Sequence, residues 1–410
     1  IECCRSYLHD KSPDKLNEHR DAVMKIGFLL NHYDSHQVPH IVPYAFKLSE
    51  LYPDAEVIIL SSTEEQKNFA KEISSDYRNQ KCKFIDVKAS LIIELIDPIL
   101  SKIVFARKSA VIRKNIALFS SFDALVVPEV TSLSLKKYPS FKDVKLIFTG
   151  HGSGDNENLG SYDKRLSEFD LCLLPGQKYA NGLTEHGFLK HNNFAISGYP
   201  KFEAVRALPH KPIKLFKNSR PTIVYNPHHH PSYSSWPLLG EDILEYFYSN
   251  QNFNFIFAPH VLLFKRKWGK GFKLPSKYQA TDNIIIDPGS RRSVDMTYMR
   301  AADLYLGDCS SQIYEFLAHP RPCVFLNTLG IKTDGPTLPY YCWNFGPIVD
   351  RVEDLGMTIN TALADQSNYI DIQQRAFTHT FEINDISSAE RGARIIEEFT
   401  RTGKVDQKWV

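Results

Sequence analysis

Several short stretches of this chain put reactive side chains at places where a protein can use them. GDCSSQIYEF, residues 307–316, sets Ser310 and Ser311 between the compact apolar run DLYLGD and a segment of helical spacing in which Ile313, Phe316 and Leu317 share a face. The serines thus fall at a helix N-terminus, where unsatisfied backbone N–H groups and the positive end of the dipole can receive a phosphate; an ordinary serine cap fits the same description. Glu315, about one turn further in, can hold a ribose diol or face solvent. KLIFTG runs into HGSGDNENLG, so His151 opens a glycine-rich loop at a strand end. With Gly152 allowing close approach, an imidazole there can take a proton from a hydroxyl near neutral pH, or simply bond its neighbours. FNFIFAPH ends on His260, which offers a cation or N–H donor for charge on a departing phosphate, or a half-buried ring with a backbone partner. YNPHHHPSYSSW carries His228, His229 and His230. On an extended backbone the first and third face one way and the second the other, so a loop lining a cleft is expected there, with neither metal nor cofactor. Asn226, which closes TIVYN, and the Pro288-Gly289 turn after NIIID complete the strand-end contacts expected on the donor side.

These residues need a scaffold that gathers strand ends. Apolar strands alternate with helical patterns from KIGFLLN through AEVIILSS, KFIDV, ALVVPE and KLIFTG to LCLLPG and NFAISGY. That is the grammar of a doubly wound parallel sheet. RALPHKPIKLFKNSRP, rich in lysine and proline, reads as a linker, after which the alternation restarts with TIVYNP, FNFIFAPH, NIIIDPG, DLYLGD and PCVFLN. Two α/β domains of this kind face each other across a cleft, with ligands beyond the C-terminal ends of the strands. The expected division is 1–208 for an acceptor-side Rossmann-like domain, 209–375 for a donor-side one, and 376–410 for a helix packing back on the first.

A chain of 410 residues with 43% apolar and 23% charged residues is globular and long enough for both domains. A net charge of +2 gives no broad electrostatic case for nucleic acid, so anion binding must be local. The seven cysteines show no CxxC spacing and several sit in apolar runs, so they are expected to be reduced core thiols in a cytoplasmic protein. IECCRSYLHD has neither an initiator Met nor a signal-peptide pattern, and the chain is expected to be trimmed or part of a longer polypeptide. SLIIELIDPILSKIVFA is broken by Glu94, Asp97, Pro98 and Lys102, too polar for a bilayer span. The segment that follows places Arg107, Lys108, Arg113 and Lys114 beside apolar residues, which suits either a helix resting on an anionic membrane or an ordinary solvated face.

Taken in order, FTGHGSGDN, SGYPKFE, IVYNPHHH, IFAPH and GDCSSQIYEF followed by RPCVFLN resemble the motif series of the CDP-glycerol glycerophosphotransferase (teichoic-acid polymerase) family, a GT-B superfamily. The resemblance spans roughly residues 145–400. It implies that Ser310 and Ser311 cradle the donor diphosphate, that His151 deprotonates the acceptor hydroxyl and that His260 stabilises the transferred or leaving phosphate. Lys201 stands where the family has an arginine and Glu315 where it has an aspartate. After His151 the chain reads SGDN where the family has TPLK, HHH replaces TWR, and Val261 follows His260 where the family has proline. Gly152, Lys201, His229 and His230 are therefore assigned only to the phosphate or acceptor region. The implied activity is transfer of glycerol phosphate or a related alditol phosphate from a CDP-activated donor to a polymer or lipid-linked acceptor at the inner face of the cytoplasmic membrane. A GT-B glycosyltransferase using a CMP- or UDP-sugar, and a non-catalytic nucleotide- or polymer-binding module, remain open beside it.

Overall fold

The computed structural model describes residues 23–100, 106–154, 162–189, 193–208, 211–264, 274–333 and 340–410. Cys3, Cys4, Lys102 and the second half of the glycine-rich loop, residues 155–160, lie outside the described residues.

The first sheet has seven parallel strands: β1 (Lys25–Leu30), β2 (Glu56–Ser61), β3 (Lys83–Asp86), β4 (Ala124–Val127), β5 (Lys145–Phe148), β6 (Leu171–Leu174) and β7 (Phe194–Ile196), in the order β3-β2-β1-β4-β5-β6-β7. The second has six: β8 (Thr222–Asn226), β9 (Asn254–Phe257), β10 (Ile284–Ile286), β11 (Leu304–Gly307), β12 (Cys323–Leu326) and β13 (Ile348–Val349), in the order β10-β9-β8-β11-β12-β13. Runs such as FLL in β1 and IVY in β8 are buried on both faces, which is why they read as continuous apolar segments rather than alternating ones. Each sheet reverses direction beside its first strand, between β1 and β4 and between β8 and β11. A crevice therefore opens at the C-terminal ends of those four strands in both halves.

The chain then returns. The helix Ser388–Thr402, capped by Ser387 Oγ accepting from Glu390 N–H, packs on the helix Val42–Leu51 of the first domain. Arg391, 2% exposed, donates to the carbonyls of Ser197 and Glu382, and a side chain on Gly392 would collide with the Tyr44 ring. The boundary expected at 376 falls inside the helix Ile370–Thr380, which touches both the helix Gln177–Glu185 and the helix Ser311–Phe316.

Two expectations need correction. Cys309 and Cys342 form a disulfide, while Cys82, Cys172 and Cys323 are free. Cys309 leaves β11 directly before Ser310, and Cys342 lies in the 3-10 turn Tyr341–Phe345, 33 residues on. The sheet crossover brings the two together, and spacing along the chain carries no sign of it. The argument for a reducing compartment from unpaired cysteines loses its basis accordingly. The helix Ala106–Phe119 presents no continuous basic face either. Arg107 is buried against Glu94 and the Ser62 carbonyl, Lys108 reaches Glu129 at 2.7 Å, and Lys114 donates to the Ala89 carbonyl. The outward apolar surface lies instead on the helix Leu91–Leu100, where Leu91, Ile92 and Leu95 are 80%, 71% and 78% exposed. No helix among the described residues is long and apolar enough to cross a membrane.

Candidate functional site

The two crevices face each other and make one cleft of about 470 Å³, a volume suited to a small-molecule ligand. From the first domain it is lined by His32, His36 and His40 beyond β1, Pro128 beyond β4, and His151 to Gly154 beyond β5. From the second it receives His228 and His229 beyond β8, His260 beyond β9, and Ser310 to Gln312 beyond β11.

His151 and His260 both meet the backbone through Nδ1 but carry the proton on opposite nitrogens. Nδ1 of His151 lies 2.9 Å from the Pro128 carbonyl, which can only accept, so Nδ1 carries the proton and Nε2 the lone pair. Loss of hydration inside the cleft holds this ring below the ordinary histidine range, against the pull of the Pro128 carbonyl and Glu129, and keeps it neutral and able to accept a proton. At His260 the backbone N–H of Leu262 donates to Nδ1 at 3.2 Å, so in the neutral ring the proton sits on Nε2. His228 follows the second pattern. Its Nδ1 accepts from the His230 N–H at 2.9 Å, and burial, with His229 and His230 beside it, pushes its pKa down to about 3. The rings of His229 and His260 are 4.2 Å apart, so the histidine loop and the β9 terminus form one wall.

That wall hangs on Asp308, whose Oδ2 accepts from the backbone N–H groups of His228 at 2.7 Å and Ser235 at 2.9 Å. Burial nevertheless raises the Asp308 carboxyl to about 7. Two residues on, Ser310 Oγ caps its helix by accepting from Gln312 N–H at 3.2 Å. Ser311 meets the glycine loop of the other domain. A Cβ on Gly154 would stand 3.2 Å from the Ser311 nitrogen, and one on Gly152 3.4 Å from Ser311 Oγ. The glycines allow backbone to approach backbone across the cleft.

Other residues expected at the site also hold it together. Lys201 Nζ reaches both Glu315 oxygens, at 2.7 and 2.8 Å, and Tyr199 OH donates to the same carboxylate at 2.7 Å. With side chains 7% and 4% exposed, the pair forms a buried clasp between the domains on the floor of the cleft. Asn226, 1% exposed, turns inward, donating to the Ala258 carbonyl at 2.6 Å and accepting from Ser310 Oγ at 3.4 Å. Gly289 closes a turn in which its N–H donates to Asp287, and His230 caps the short turn Pro231–Tyr233; neither lines the cleft. The sequence reading passed over His32, Asp34, His36 and His40. NHYDSHQVPH follows the first strand directly, and its position at a strand end was the available signal.

No protein-family model matches the chain, and no curated protein matches it at a significant level. Solved structures do. A Listeria monocytogenes protein assigned as a UDP-N-acetylglucosamine 2-epimerase is 15% identical with a TM-score of 0.62, over 95% of this chain and 100% of that one. The wall teichoic acid polymerase TagF is 14% identical with a TM-score of 0.58, over 92% of this chain and 89% of that one. The UDP-GlcNAc 2-epimerase of Neisseria meningitidis, solved with UDP-GlcNAc, is 11% identical with a TM-score of 0.54, over 92% and 99%. Together with the two sheets, these likenesses establish the GT-B fold.

Proposed function

We propose that this chain is a transferase of cell-surface polymer synthesis that moves an alditol phosphate, glycerol phosphate first among them, from a CDP-activated donor to an acceptor hydroxyl. The observation that carries the reading is the pairing of a neutral His151, bare at Nε2, with N–H-bearing His260 and His228 across a single cleft. The acceptor hydroxyl gives its proton to His151 Nε2 as its oxygen bonds to the β-phosphorus of the donor. The bond from that phosphorus to the bridging oxygen breaks, and CMP leaves with the bridging oxygen. His260, His228 and the backbone at Ser310 and Ser311 face the developing charge. The structure of a histidine-substituted TagF soaked with CDPG, from a protein of the same fold, supports a CDP-linked donor. The acceptor is polymer or lipid-linked, and Leu91, Ile92 and Leu95 give the first domain an apolar face for the cytoplasmic surface of a bilayer.

The test is product analysis with CDP-glycerol, CMP-sugar and UDP-GlcNAc as separate donors. CMP together with a phosphodiester product is expected from the first, and His151→Ala should lower that rate about 100-fold or more. A rate within threefold of the parent would remove His151 as base. The second reading is sugar-nucleotide chemistry, favoured by the likeness to the two epimerase structures. Turnover of UDP-GlcNAc or a CMP-sugar, with CDP-glycerol untouched, would put it first.

A further inference from the structure

The loop after β1 carries a cluster that the proposed transfer leaves unused. His32, Asp34 and His36 each present one ligand atom, and the three lie within 4.8 Å of one another. Nδ1 of His32 accepts from the Asp34 N–H at 3.0 Å, a bond that a metal ion on this nitrogen would replace, and stands 3.8 Å from Asp34 Oδ2. Its other nitrogen faces Glu129 Oε1 at 3.6 Å. Glu129 is itself held by Lys108 and Gln37, each at 2.7 Å. This is the arrangement of a ligating histidine whose far side is oriented by a carboxylate. His36 stacks edge-on to His32 with ring centroids 4.4 Å apart, and its Nδ1 is buried without a hydrogen-bond partner. A buried ring nitrogen left this way costs free energy that a cation would offset.

We infer that His32, Asp34 and His36 bind a divalent transition-metal ion on the first-domain wall of the cleft. Two imidazoles and one carboxylate suit zinc, cobalt or iron(II) and leave coordination positions for other ligands. Ligand atoms around a metal at ~2.1 Å sit roughly 3 to 3.5 Å apart, so the cluster must close by about 1 Å. His32 and His36 line the cleft, and the His36 ring lies 5.3 Å from that of His151, so an oxygen of a ligand bound beside His151 is within reach of the ion. The inference does not depend on which group is transferred, because it concerns the loop alone.

The test uses the untagged 410-residue chain stripped with EDTA. It is titrated with Co2+ by visible absorption, and with Zn2+ by elemental analysis after gel filtration. One equivalent of either ion is expected, with affinity at least tenfold weaker in His36→Ala and in Asp34→Asn and unchanged in a His229→Ala/His230→Ala double variant. Asp34→Asn keeps the side-chain shape, so it reads the site even where loss of His36 disturbs folding, and a thermal melt of each variant verifies this. The inference is overturned if wild-type chain retains no metal, if Asp34→Asn folds and binds as wild type does, or if binding follows the His229/His230 pair instead.

Discussion

The two sheets share a strand plan and differ in what they set at its end. Beyond β1, β4 and β5 the chain offers acceptors: Nε2 of His151 and the carboxylates of Asp34 and Glu129. Beyond β8, β9 and β11 it offers donors: the ring N–H groups of His228 and His260 and the backbone at Ser310 and Ser311. One backbone contact makes the difference in each case, since a carbonyl beside Nδ1 yields a base and an N–H beside Nδ1 yields a donor. The same fold and residue type thus set a ring lone pair on one wall and ring N–H groups on the other.

The sharpest way to break this contrast is to replace each histidine by glutamine, which can donate through its amide but cannot serve as a base. His151→Gln should lose about 100-fold or more in rate, whereas His260→Gln should retain well over half of what His260→Ala loses. Equal losses in both glutamine variants, measured as nucleotide release, would show the walls to be chemically alike.

A smaller effect concerns the support of the donor wall. With its carboxyl raised to about 7, folded Asp308 binds a proton more tightly than the unfolded chain does, near 4. Native stability therefore falls as pH rises from about 4 through about 7. Wild-type melting temperature should decline from pH 5 to pH 8 and that of Asp308→Asn should decline less; parallel curves would remove Asp308 as the cause. Smallest is the expected effect on the outer face of the first domain. Leu95→Glu should weaken sedimentation with anionic vesicles while leaving nucleotide binding by the second domain intact, and unchanged sedimentation would remove that face from membrane contact.

Much of the architecture was legible because parallel strands buried on both faces leave apolar runs of fixed length between turn signals, and β1 through β12 follow those runs closely. His151, His260 and the serines were legible because a polar residue closing such a run must stand at the crevice. What escaped was set by the meeting of distant segments. Glu315 reads as a helix carboxylate until Lys201, 114 residues earlier, closes on it, and Cys309 reads as a core thiol until β12 and the following turn deliver Cys342. The HYDSH cluster was overshadowed by the denser His228–His230 run. That run is expected to line a cleft without metal, and it is the bent loop after β1 that brings three ligand atoms within 4.8 Å of one another.

The return of the helix Ser388–Thr402 to the helix Val42–Leu51 bears on the order in which the protein can be made. Tyr44 and Ser197 belong to the first domain, yet the groups that cover them, Gly392 and Arg391, are made only after the second. The first domain must therefore wait, partly uncovered, while the whole of the second is synthesised.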